Sequence, residues 1–181
     1  MNFNWKKFVD TVHYVCNKAD DPSVLGAIKL NKVLWYSDVL QYMVTGQPIT
    51  GEQYVKRQHG PVPRHILGAL DELVKSGRVA RGKVDHFGFM KNEYISIVEP
   101  ELDGFSASEI ARIDEAFEHV CLNHTARSIS DETHGIVWEL AAMGEAMPYS
   151  TVFASSDGEI DEDDLAWAVK TIKAQGQAAM P

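Results

Sequence analysis

The stretch from Val24 to Val44 is apolar on nearly every side of the helix it would form, and this constrains the fold more than any other feature. Leu30, Val33, Leu34, Ser37, Leu40 and Val44 share one stripe, while Ile28, Trp35, Val39 and Tyr42 fall on the faces beside it. A helix greasy all round belongs in the middle of a core, wrapped by other elements. Gly46 and Pro48 end it. The expected architecture is therefore α+β and mainly α-helical, built on a core helix from about 27 to 45. Three charges interrupt that helix. Lys29 and Lys32 share a face at i, i+3, and Asp38 lies about 120° from Lys32 round the axis. Either they snorkel to the surface of a packed helix, or they form a polar cluster shared with a partner or with the His59-Gly60-Pro61 turn.

The flanking segments supply the wrapping. Phe3, Phe8, Val12 and Val15 predict a first helix over 3–17, and residues 19–23 break it. A short strand over 52–57 leads into His59-Gly60-Pro61-Val62-Pro63, read as a turn stiffened by its prolines. Ile66, Leu67, Leu70, Leu73 and Val74 predict a helix closed by Lys75 and Gly77. Residues 78–84 and 93–98 flank His86-Phe87-Gly88 as one loose hairpin. Ser106 and Glu109 form a capping box, with Phe105 and Ile110 placed as a hydrophobic staple, and Ile113, Phe117, Val120 and Cys121 continue the buried face. Thr125 caps a shorter helix to about Thr133, and 136–143 is ambiguous. Asp161 to Asp164 open a terminal helix with Leu165, Val169 and Ile172 inside. The expectation is one compact helical domain over 1–181 with one small β-hairpin, in which 156–181 is an acidic linker and C-terminal helix.

At 181 residues the chain can bury a core without a disulfide or metal staple. It holds no run of eighteen apolar residues and no apolar stretch behind Lys6 and Lys7, so neither a membrane span nor a secretory signal is expected. Cys16 and Cys121 match no disulfide or zinc-ribbon spacing. The reading is a reduced, cytoplasmic protein. Its net charge of −9 divides into +5 over Met1 to Lys91 and −14 over Asn92 to Pro181. An acidic chain is a poor non-specific binder of nucleic acid.

Catalytic signatures are missing. There is no Walker loop, no Gly-x-Gly-x-x-Gly and no Gly-x-Ser-x-Gly. The acidic run Asp157 to Asp164 places Glu162 where a calcium loop needs glycine. His119, Cys121, His124 and His134 look metal-like, but positions 119 and 121 of a helix point about 200° apart, so no metal is expected. Cys16 with His13 has i, i+3 spacing, and a buried or idle thiol explains it better than a nucleophile. The sequence predicts no cofactor, no catalytic residues and no enzyme activity.

Lys29-Leu-Asn-Lys-Val-Leu-Trp-Tyr-Ser-Asp38, Thr45-Gly-Gln-Pro-Ile-Thr-Gly51, Tyr54 and Gly60-Pro-Val-Pro63 together resemble the Panacea domain, the SocA-like antitoxin domain common in phages and bacteria. Phe105-Ser-Ala-Ser-Glu109, Ser130 to His134, Trp138 and Gly144-Glu-Ala-Met-Pro-Tyr149 resemble its later blocks, so the likeness spans about residues 24–153. Val33 and Trp35 replace the usual Leu and Tyr, and Gly135-Ile136-Val137 stand where acidic and Pro residues are usual. The resemblance implies an antitoxin that neutralises a cognate protein toxin, made from the adjacent gene, by direct stoichiometric binding. The positions that match its blocks and would meet the partner are Lys29, Lys32, Tyr36, Asp38, Tyr54, Pro61, Val62 and Pro63. A different class stays open beside it. The helix 65–75 and a following hairpin carrying Arg78, Arg81, Lys83 and Lys91 have the order of a winged helix, which implies a DNA-binding regulator.

Overall fold

The computed structural model describes residues 2–86 and 88–153. The expected terminal helix and the acidic run at 157–164 lie outside the described residues. Helix α1 (Trp5–Lys18) begins where the Asn4 side chain accepts the Lys7 N–H at 3.0 Å. A 3₁₀ turn, Pro22–Val24, leads into α2 (Gly26–Thr45). Helix α2 stops at Gly46, whose left-handed φ of 72° lets its N–H reach the Tyr42 carbonyl at 2.8 Å. As its composition demands, α2 is the centre of the molecule. Its Leu30, Val33, Leu34, Trp35 and Val39 are buried. Packed around it are α1, strands β2 (Gly60–Pro63) and β4 (Phe89–Ser96), α4 (Ala107–Phe117) and α5 (Ala126–Glu132).

Among the described residues two hairpins are present where one was expected. The later one, β3 (Val79–His86) against β4, matches the expectation. The earlier one pairs β1 (Tyr54–Arg57) with β2, a stretch read from the sequence as a stiff turn. The prolines do not prevent it. Arg57 and Gly60 close a two-residue turn, so alternation aims the Gly60 and Val62 N–H groups at β1 and the Pro61 and Pro63 ring nitrogens away. The other edge of β1 is covered too. Lys56 N–H donates to the Glu145 carbonyl at 2.9 Å, and Gly144 and Met147 N–H donate to the Lys56 and Tyr54 carbonyls at 3.0 and 2.8 Å.

Helix α3 (Ile66–Lys75) lies between the hairpins. The capping box of α4 is formed on both sides by Ser106 and Glu109, and Thr125 with Ser128 repeats the device on α5. One departure matters below. Residues Glu118–Leu122 do not continue α4 as α-helix but form a single π turn. Residues Ile136–Leu140 resolve as a short helix, α6, and Tyr149–Phe153 as a 3₁₀ turn. No helix among the described residues is long and apolar enough to cross a membrane.

Asp38 is fully buried, and its carboxylate is surrounded by donors. Thr50 N–H reaches Oδ1 at 2.8 Å, while Thr50 Oγ1 and the Tyr54 hydroxyl reach Oδ2 at 2.6 and 2.9 Å. Tyr149 lies 3.4 Å away, its hydroxyl turned to the Glu52 carbonyl at 2.5 Å. Burial pushes the Asp38 carboxyl up to about 6 against the pull of these donors. The folded-state value thus lies above the unfolded one of about 3.9, so the contribution of this group to stability is full below about pH 4 and lost as pH rises through about 6. Asp38→Ala would leave three buried donors without an acceptor. It is expected to lower stability at pH 7 by about 3–5 kcal/mol in urea unfolding; a loss under about 1 kcal/mol would show that the loop 49–54 is held by other contacts.

Candidate functional site

Lys32 does not snorkel. It is 1% exposed, and its ammonium is pressed against the β1–β2 turn. Gly60 makes room for it: an added Cβ there would strike Lys32 Nζ and stand 2.5 Å from Thr133 Oγ1, and the Gly60 φ of +100° favours glycine anyway. Among the described residues Lys32 Nζ has no hydrogen-bond partner and no ion pair. Burial alone pushes its pKa down to about 7.

The surroundings add positive charge. Lys32 lines a cavity of about 260 Å³ together with Asn31, Arg57, His59, Pro61 and Val62. A second cavity of about 390 Å³ shares Asn31, Arg57 and Val62 and extends to Pro63, Arg64 and the exposed Leu67, giving one groove along the first hairpin. Behind the turn, Lys56 donates to the Ala141 carbonyl at 2.9 Å and lies 4.2 Å from the centre of the Trp138 ring. Trp138 stacks on His134 at 3.6 Å and donates to the Arg57 carbonyl at 3.2 Å. His134 is held below the usual imidazole range by burial first and by the charge of Lys32 second.

The eight expected contact residues divide. Lys32, Pro61 and Val62 share the first cavity, and Pro63 joins along the second. Asp38 and Tyr54 are interior and meet each other. Lys29 leaves the Lys32 stripe and donates to the Cys121 carbonyl at 3.1 Å. Tyr36 donates to Glu132 Oε1 at 2.5 Å. His59 was foreseen beside Lys32 as part of the His59-Gly60-Pro61 turn, whereas Asn31, Arg57 and Arg64 were not foreseen at the groove. The available signal was the two-residue turn at Gln58-His59, hidden by the prolines after it. Of the other residues singled out, Cys16 is buried with its thiol pushed up to about 12, and His13 turns instead to Ser96 Oγ and the Val98 carbonyl. Arg78 is engaged by Asp10 and Glu72, Arg81 by Asp71, and Lys91 by the Ser23 carbonyl.

The groove thus sets a buried amine without an acceptor among the described residues beside two arginines and a histidine. A family model described as Antitoxin SocA-like, Panacea domain, matches residues 30–139. The chain belongs to this family. No curated protein and no solved structure matches it.

Because the folded-state pKa of Lys32 lies below the unfolded value of about 10.4, its contribution to stability is present above that value and lost as pH falls through about 7. Lys32→Met keeps the volume and removes the charge. The variant is expected to be more stable than the parent by up to about 4 kcal/mol at pH 6, with about half that gap at pH 9. Urea unfolding at the two pH values checks it; a variant less stable than the parent at pH 6 would mean that the ammonium is compensated in the fold.

Proposed function

We propose that the chain is an antitoxin that neutralises a cognate protein toxin by stoichiometric contact, acting in the cytoplasm and without catalysis. The observation that carries this reading is the partnerless Lys32 ammonium at the wall of the groove. A fold with no outside acceptor would do better with Met at this position, since an uncompensated buried charge costs several kcal/mol. A carboxylate or carbonyl from a docked partner would complete its hydrogen bonding, with Arg57, His59 and Arg64 drawing in acidic groups and Val62, Leu67 and Pro63 offering apolar contact. Lys32, Pro61, Val62 and Pro63 are then the direct contacts. Asp38 and Tyr54 fix the hairpin from beneath, and Lys29 and Tyr36 brace the segment that follows α4.

The winged-helix order of α3 and the β3–β4 hairpin is present, yet the arrangement speaks against DNA. The exposed side of α3 shows Asp71 and Glu72, and these acids engage the wing arginines. A basic reading face needs the reverse.

Co-expression with the toxin encoded next to this chain tests the proposal. Lys32→Met is expected to fold and to fail to rescue growth, its complex weakened by about 2–5 kcal/mol. Lys75→Met, at an exposed site away from the groove, is expected to protect like the parent. Full protection by Lys32→Met would remove the groove from the interface.

A further inference from the structure

The π turn that ends α4 does something that a straight helix could not. His119 and His124 are five residues apart, and in an α-helix they would point about 140° away from each other. His119 sits in the π turn Glu118–Leu122 and His124 two residues beyond its end, where the chain has left the helix and is free to turn back, and single π turns recur at functional sites. Here the two imidazoles meet edge to face, their ring centres 4.8 Å apart. Glu132, in the last turn of α5, faces both: its Oε1 lies 2.7 Å from His119 Nε2 and its Oε2 3.2 Å from His124 Nε2.

The convergence is built in from three sides. The Tyr36 hydroxyl donates to the same carboxylate, and its ring packs on His119 at 5.1 Å. His124 Nδ1 is held by Ser128 Oγ at 3.2 Å, which leaves Nε2 aimed at Glu132. Lys29 anchors the π turn itself through the Cys121 carbonyl. Cys121 and His134, grouped with these histidines by sequence, take no part. Cys121 is buried in the core and His134 lies on Trp138.

We propose that His119 Nε2, His124 Nε2 and a carboxylate oxygen of Glu132 form a binding site for one borderline divalent cation of the zinc class, with a fourth position open to water. The three ligating atoms lie within 4.8 Å of one another. Ligands about 2.0–2.1 Å from a tetrahedral ion stand a little over 3 Å apart, so small side-chain rotations suffice to admit it. Two imidazoles and one carboxylate suit zinc, cobalt or nickel and disfavour magnesium or calcium, which take mainly oxygen. All three side chains are partly exposed, giving an ion a route in from solvent. The bound ion would clamp α5 to the turn that ends α4.

The test uses tag-free full chain, stripped with chelator and dialysed, then titrated with Co²⁺ alone. Expected are about one equivalent bound per chain, visible cobalt absorption bands, bleaching by about one equivalent of Zn²⁺, and a higher unfolding midpoint with Zn²⁺. A double variant, His119→Gln with His124→Gln, is expected to keep the parent circular dichroism and lose the bands. No uptake by the parent, or undiminished uptake by the double variant, overturns the proposal and leaves a hydrogen-bonded His–Glu cluster. Should the double variant fail to fold, Glu132→Gln is read in its place: at least about ten-fold weaker Co²⁺ binding is expected, and unchanged affinity overturns the site. No toxin enters these measurements, so the result is independent of the neutralisation test.

Discussion

A single carboxylate on the core helix decides where the chain goes after leaving that helix. Asp38 is buried away from solvent, so the segment that follows must bring it donors, and it does so with Thr50 and Tyr54. The consequences spread outward. Thr50 returns its carbonyl to Asn4 at 2.9 Å, drawing the start of α1 over the loop. Gly51 sits so close to Asn2 that a Cβ would stand 2.6 Å from the Asn2 carbonyl oxygen, at a φ of +70° that favours glycine in any case. Buried Glu52 accepts from Gln53 N–H and faces His65, which sets the start of α3. The path of the first hairpin, and with it the groove, descends from this one buried anion.

Six residues before Asp38 on the same helix, the opposite charge is treated in the opposite way. Asp38 is surrounded by protein donors, whereas Lys32 is enclosed without an acceptor. The asymmetry separates structure from recognition on one element. Asp38 fixes the scaffold, and Lys32 carries a desolvation cost that no acceptor among the described residues offsets. Their titrations also oppose each other. The contribution of Asp38 fades as pH rises towards 6, while that of Lys32 grows as pH rises above 7.

Much of this was legible in the residues. The all-apolar helix announced its central place, the capping box placed the start of α4, and the glycine stops placed the ends of α2 and α3. These signals are local, which is why they survive without a structure. The three features that escaped are not local. The β2 strand was masked because prolines normally argue against pairing, and only the register shows that both ring nitrogens face away from β1. Lys32 was visible as an oddity, but its isolation depends on Gly60 and Thr133, far along the chain. The His119–His124–Glu132 cluster depends on the π turn and the chain just after it, for which side-chain periodicity gives no warning, and on Glu132, which the residue pattern did not group with the histidines.

The strand β1 is held on one edge by β2 and on the other by residues 144–147, and Tyr149 closes over Asp38 across 111 positions of sequence. Contacts of such long range form late, since the entropy of closing the intervening loop must be met first. On a ribosome, a nascent chain that has reached α4 holds the core helix but not the segment behind the turn, for Trp138, Ala141 and Met147 are still to come. The walls of the groove are therefore complete only once residues 138–149 have been made, however early α2 itself forms.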